Sequence, residues 1–148
     1  MGNTKPIGVA YEDQDIIGAD NLSAVNISGT DIYATDEIGY AAAAQGTVTQ
    51  LTSKSTAVTL NKSAGQITMN NATIPANDVV AFTLNNSLIS AKDTLIVNIG
   101  SGATTPGQYT TYVTSLTSGA AIIAVRNLVG TTSPSDALVL NFAAIHCL

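Results

Sequence analysis

The chain is poor in the residues on which most catalytic and binding sites are built: one Cys, one His, no Trp, two Phe and five basic residues in 148. A single cysteine, Cys147, excludes an intrachain disulfide, so the fold must hold without one. Five basic residues without a cluster, and a pI near 4.3, exclude a nucleic-acid partner, which needs several cations to neutralise phosphates. No run approaches the roughly 18 apolar residues of a membrane span. The opening MGNTKPIGVAYEDQD has neither the apolar stretch nor the cleavage site of a signal peptide, and Pro6 stands where a myristoylation signal needs Ser or Thr. Synthesis in a cytoplasm, without membrane attachment, is the expectation. The sequons at Asn21, Asn26, Asn61, Asn71 and Asn85 are then read as turn and hydrogen-bonding residues rather than glycosylation sites.

The same scarcity bears on chemistry. Nucleophilic catalysis needs a Ser, Thr or Cys within reach of a base, and the one histidine, His146, stands beside Cys147. Neighbours on an extended chain point to opposite faces, so this adjacency does not make a dyad. One His and one Cys cannot fill a tetrahedral zinc shell within a subunit, which leaves only a ring of His146 around a symmetry axis. Glu12-Asp13-Gln14-Asp15 lacks the central Gly and terminal Glu of a twelve-residue calcium loop. Asp78, Asp93 and Asp136 show no paired spacing for glycoside hydrolysis. The segment GSGATTPG over 100–107 carries no Gly-Lys-Ser/Thr and precedes a strand pattern, so it is a surface loop and not a phosphate cradle. No enzymatic activity, cofactor or metal is expected.

What the chain does have is an uneven charge. Glu12, Asp13, Asp15, Asp20, Asp31, Asp36 and Glu37 against Lys5 leave the first 45 residues at −6. From 46 to 148, Lys54, Lys62, Lys92 and Arg126 against Asp78, Asp93 and Asp136 leave +1. The division reads as an acidic, irregular arm over 1–45 and a β domain over 46–148. The arm is punctuated by Gly8, Gly18, Gly29 and Gly39 and has too few large side chains to bury a core of its own. Its seven acidic residues are the expected partner-binding set, facing a basic surface. The β domain has little charge with which to repel its own copies, so its surface is expected to be covered by them.

Beyond Gly46 the pattern turns to period two. Strands are predicted over 47–51, 56–60, 66–69, 79–85, 94–99, 108–116, 120–127 and 137–145, parted by turn formers such as Ser53-Lys54-Ser55 and Thr117-Ser118-Gly119. Eight strands without an amphipathic helix predict an all-β, eight-stranded antiparallel β-sandwich, jelly-roll-like, with the 100–107 loop crossing between sheets. Tyr109 and Tyr112 lie three apart, hence on opposite faces, and cannot form a shared sugar platform.

The segments GTVTQLTSKSTAVTLNKSAGQITM, VVAFTLNNSLI, DTLIVNIGSG, YTTYVTSL, AVRNLVG and ALVLNFAAI resemble a β module recurrent in structural proteins of tailed bacteriophages. The resemblance runs from about Gly46 to Ile145, and the module occurs in head decoration (cement) proteins and in parts of tail fibres. It implies a structural virion protein, a homotrimer on the outer surface of the capsid, bridging major capsid subunits and neighbouring decoration subunits. A tail-fibre or receptor- or carbohydrate-binding module of a phage tail is the alternative. The length of 148 residues favours the decoration reading.

Overall fold

A computed structural model describes Ala34 and residues 36 to 147. The compact unit that holds the strands runs from Ile38 to Leu148. A 3-10 turn, Ala42–Ala44, leads into β1 (Gln45–Thr49), β2 (Val58–Thr59), β3 (Ala64–Thr68), β4 (Val79–Asn85), β5 (Thr94–Ser101), β6 (Tyr109–Thr117), β7 (Ala120–Asn127) and β8 (Val139–Ile145). They form two four-stranded sheets, with orders β1-β3-β8-β5 and β2-β4-β7-β6. The all-β, eight-stranded sandwich is therefore present. Of the seven acidic residues of the arm, Glu12, Asp13, Asp15, Asp20 and Asp31 lie outside the described residues.

Successive strands alternate between the two sheets at every connection except the β6–β7 hairpin. The 100–107 loop accordingly crosses between sheets, from β5 to β6. Because each connection reverses the chain, strands an odd number of steps apart run antiparallel and strands two steps apart run parallel. The pairs β3–β8, β5–β8, β4–β7 and β6–β7 are antiparallel, whereas β1–β3 and β2–β4 are parallel. The uniformly antiparallel expectation thus holds for four pairings, and the two flanking strands depart from it through this parity. β2 is also shorter than the pattern over 56–60 predicts, because only Val58 and Thr59 pair with β4 before the chain turns to β3.

Period-two alternation becomes burial directly. Phe82 and Leu84 of β4, Ala121, Ile123 and Val125 of β7, and Leu140, Phe142 and Ala144 of β8 all face one core with Ile67, Met69, Ile74 and Leu138. Each buried Leu, Ile or Phe contributes about 1.5–3 kcal/mol relative to exposure. Between β1 and β3 the sheet closes on Gly46 and Gly65: a Cβ at Gly65 would stand 2.9 Å from Leu60 Cδ2 and 3.2 Å from Phe142 Cε1. The bare glycine backbone leaves room for those two side chains. At the β6–β7 hairpin Gly119 takes φ +84°, which a side chain disfavours, and its carbonyl accepts the Asn86 N–H at 2.9 Å.

Candidate functional site

Charge is nearly absent from the strands. Across all eight, Arg126 on β7 is the one charged side chain. The remaining charges of the β unit stand in loops, and three of them are drawn into buried or part-buried networks.

The first network is centred on Lys54, which is 2% exposed. Its Nζ donates to Asn70 O at 2.5 Å and to Asp136 O. Gln50, equally buried, donates through Nε2 to Lys54 O at 3.0 Å and to Thr56 O at 2.8 Å, while its Oε1 accepts the Asn70 N–H at 3.2 Å. Asp136 accepts the Thr104 hydroxyl at 2.6 Å, the Thr104 N–H at 3.1 Å and the Tyr109 hydroxyl at 3.0 Å. Burial lowers the Lys54 pKa, and Asp136 partly opposes that shift. The Thr104 hydroxyl and N–H hold the Asp136 carboxyl below its usual range. Burial, with the bond to Asp136, pushes the Tyr109 phenol above its ordinary value. Every polar group here is spent on the loops it ties together.

The second network is centred on Asp93, and His146 joins it: its Nδ1 lies 2.8 Å from Asp93 Oδ2. Asp93, only 6% exposed, also accepts the Ser90 N–H at 2.9 Å, the Ser90 hydroxyl at 2.7 Å and the Cys147 N–H at 3.1 Å. The two Ser90 bonds hold its carboxyl far below the usual range, with His146 and Cys147 adding to them. A carboxylate and an imidazole alone do not make a nucleophilic site. The nearby hydroxyl, Ser90 Oγ, donates to the carboxylate, so the cluster fastens the end of β8 to the start of β5. Among the described residues no group of three or more His, Cys, Asp or Glu could hold a metal ion.

The outer faces of the sheets differ in character. On the β2-β4-β7-β6 sheet, the in-register rows Val79–Arg126–Thr110 and Ala81–Ala124–Tyr112, with Ile122 opposite Thr83, point away from the core. Val79, Tyr112 and Ile122 remain 41%, 43% and 39% exposed. Tyr109 turns inward and Tyr112 outward, so they share no platform. The outer face of the β1-β3-β8-β5 sheet instead carries Thr47, Gln66, Asn141 and Asn98 in one register row.

Of the acidic residues assigned to partner binding, Asp36 and Glu37 are described, and both are exposed. Lys54, Asp93 and Asp136 were not singled out as sites by their sequence context. Their one sequence signal is rarity, as three of the seven charged residues over 46–148. Comparison of the chain with protein-family models, with curated proteins and with solved structures finds no match.

Proposed function

We propose that the chain is a structural virion protein, a capsid decoration protein that stabilises a phage head as a homotrimer bridging major capsid subunits on the outer surface. The observation that carries this reading is the outer face of the β2-β4-β7-β6 sheet, where Val79, Tyr112 and Ile122 stand exposed around Ala81 and Ala124 with Arg126 as the single charge. An almost uncharged sheet face with exposed apolar side chains is a surface suited to meeting another copy. The sequence resemblance to phage structural modules supports the same reading. Many weak contacts repeated by symmetry would then resist the outward pressure of packaged DNA through avidity.

Light scattering on the purified chain should give the mass of a trimer, and the chain should bind capsids stripped of decoration. A monomer at micromolar concentration, together with binding to host cells in place of capsids, overturns the reading in favour of a tail-fibre or receptor-binding module.

A further inference from the structure

We infer that the outer face of the β1-β3-β8-β5 sheet is a binding site for a neutral oligosaccharide. This inference goes beyond the decoration reading and does not rest on it, since a capsid-borne and a fibre-borne module could equally present such a face. A depression of about 570 Å³ opens there, lined by Gln45, Thr47, Ala64, Gln66 and Asn141 over the backbone of Gly46 and Gly65.

Two neighbouring register rows give the face its chemistry. One, Thr47–Gln66–Asn141–Asn98, is made wholly of hydroxyl and amide groups. The next, Gln45–Ala64–Ala143–Ile96, is apolar at three of its four positions, with Ile96 52% exposed. Side chains of Thr47, Gln66 and Asn98 make no hydrogen bond within the described residues, so their donors and acceptors are open to a ligand. A pyranose has the complementary build: C–H faces that cover an apolar floor and hydroxyl edges that pair with amides. Across four strands, at about 4.8 Å per step, the rows extend about 14 Å, enough for a short oligosaccharide.

One acceptor on this face lacks a donor altogether. Asn141 Oδ1 is buried and has no hydrogen-bond partner. The amide lies over Gly100 of β5, where a Cβ would come within 2.5 Å of Asn141 Nδ2 and 3.1 Å of Oδ1. β5 is irregular at the same point, with its register shifting between Ile99 and Ser101. The glycine thus admits the Asn141 amide, and a rotation of that side chain that brings its oxygen to the surface would let a sugar hydroxyl donate to it. No charged side chain lines the depression. That argues for an uncharged ligand over a sialylated, sulfated or phosphorylated one.

The test uses the full chain labelled with ¹⁵N and titrated with maltotriose, cellotriose, chitotriose and mannotriose, and separately with a sulfated oligosaccharide. Saturable shifts of the Gln66, Asn98 and Asn141 side-chain amides with at least one neutral sugar are expected at millimolar concentrations. Gln66→Ala, on an exposed position, should weaken binding about tenfold, whereas Thr110→Ala on the other sheet should not change it. The inference is overturned if none of the four neutral sugars shifts these amides, if the shifts fall elsewhere, or if only the sulfated sugar binds.

Discussion

Replacing Lys54 with Met tests whether the buried ammonium holds the loops together or is merely accommodated. Met keeps the apolar stem of the side chain, one heavy atom shorter, but offers no donor to Asn70 O and Asp136 O. Each part-buried carbonyl left without its donor costs about 1–3 kcal/mol. Loss of attraction to the Asp136 carboxylate adds at most about 1 kcal/mol, because that carboxylate is partly solvated. Against these losses, the variant no longer buries a charge, which returns part of the cost. The net expectation is a destabilisation of about 2–4 kcal/mol. In urea the midpoint should fall by about 1–2 M with an unchanged slope, for a slope of about 1–3 kcal/mol/M.

The pH dependence of Lys54 supplies a second reading of the same variant. Burial holds its folded pKa below the unfolded value of 10.5. Between those two values the unfolded chain binds the proton more tightly, so the Lys54 contribution to stability rises with pH across that window. Lys54→Met should lack this rise. A variant within about 0.5 kcal/mol of wild type, or more stable than it, would refute the reasoning, since the cost of burying the charge would then cancel its bonds.

Other outcomes follow from the remaining contacts. Asp93 has a folded pKa well below its unfolded value of 3.8, so its contribution is present above that value and is lost as pH falls through and below it; Asp93→Asn should flatten the acid limb of a stability–pH curve. Tyr109 is shifted the other way, above 10.0, so its contribution is complete below pH 10 and fades above it; Tyr109→Phe should remove that alkaline loss in thermal melts. Tyr112→Asp and Ile122→Asp should abolish the proposed trimer by light scattering while far-UV circular dichroism stays β-rich, and a trimer that survives would exclude this face as the interface. Occupancy on stripped capsids should fall as salt rises, because the Debye length shrinks from about 10 Å at 0.1 M to about 3 Å at 1 M. Neutralising Glu12, Asp13 and Asp15 together should reproduce that loss at low salt, and equal occupancy throughout would leave the acidic cluster without a docking role.

Removal of residues 1–37 should leave the β unit folded, whereas removal through residue 45 should destabilise it. The longer cut takes away the Tyr40 hydroxyl bond to Ala144 O, the Ala43 carbonyl that accepts Lys62 Nζ at 2.7 Å, and the first residue of β1. Equal unfolding midpoints for the two truncations would show that these contacts contribute nothing.

Strand positions were legible without the tertiary structure because alternation is a local property: VVAFTLN and AAIIAVRN read as strands whatever they pair with, and β4 and β7 occupy those residues. The turn at Thr117-Ser118-Gly119 was equally local, resting on one glycine at positive φ. Pairing is not local. Whether β1 lies beside β3 in parallel, or β3 beside β8 in antiparallel, depends on how often the chain crosses between sheets. The ends of short strands also escaped the pattern: β1 spans Gln45–Thr49 rather than 47–51, and the next inward residue, Gln50, donates to the Lys54 and Thr56 carbonyls. Contacts at long separation were the least visible: His146 meets Asp93 across 53 residues, and Lys54 reaches the Asp136 carbonyl across 82. A sequence pattern records which face of a strand is apolar, since burial of that face is what stabilises it. Which two rare charges meet is decided only when the sheets close and bring distant loops to the same end of the sandwich.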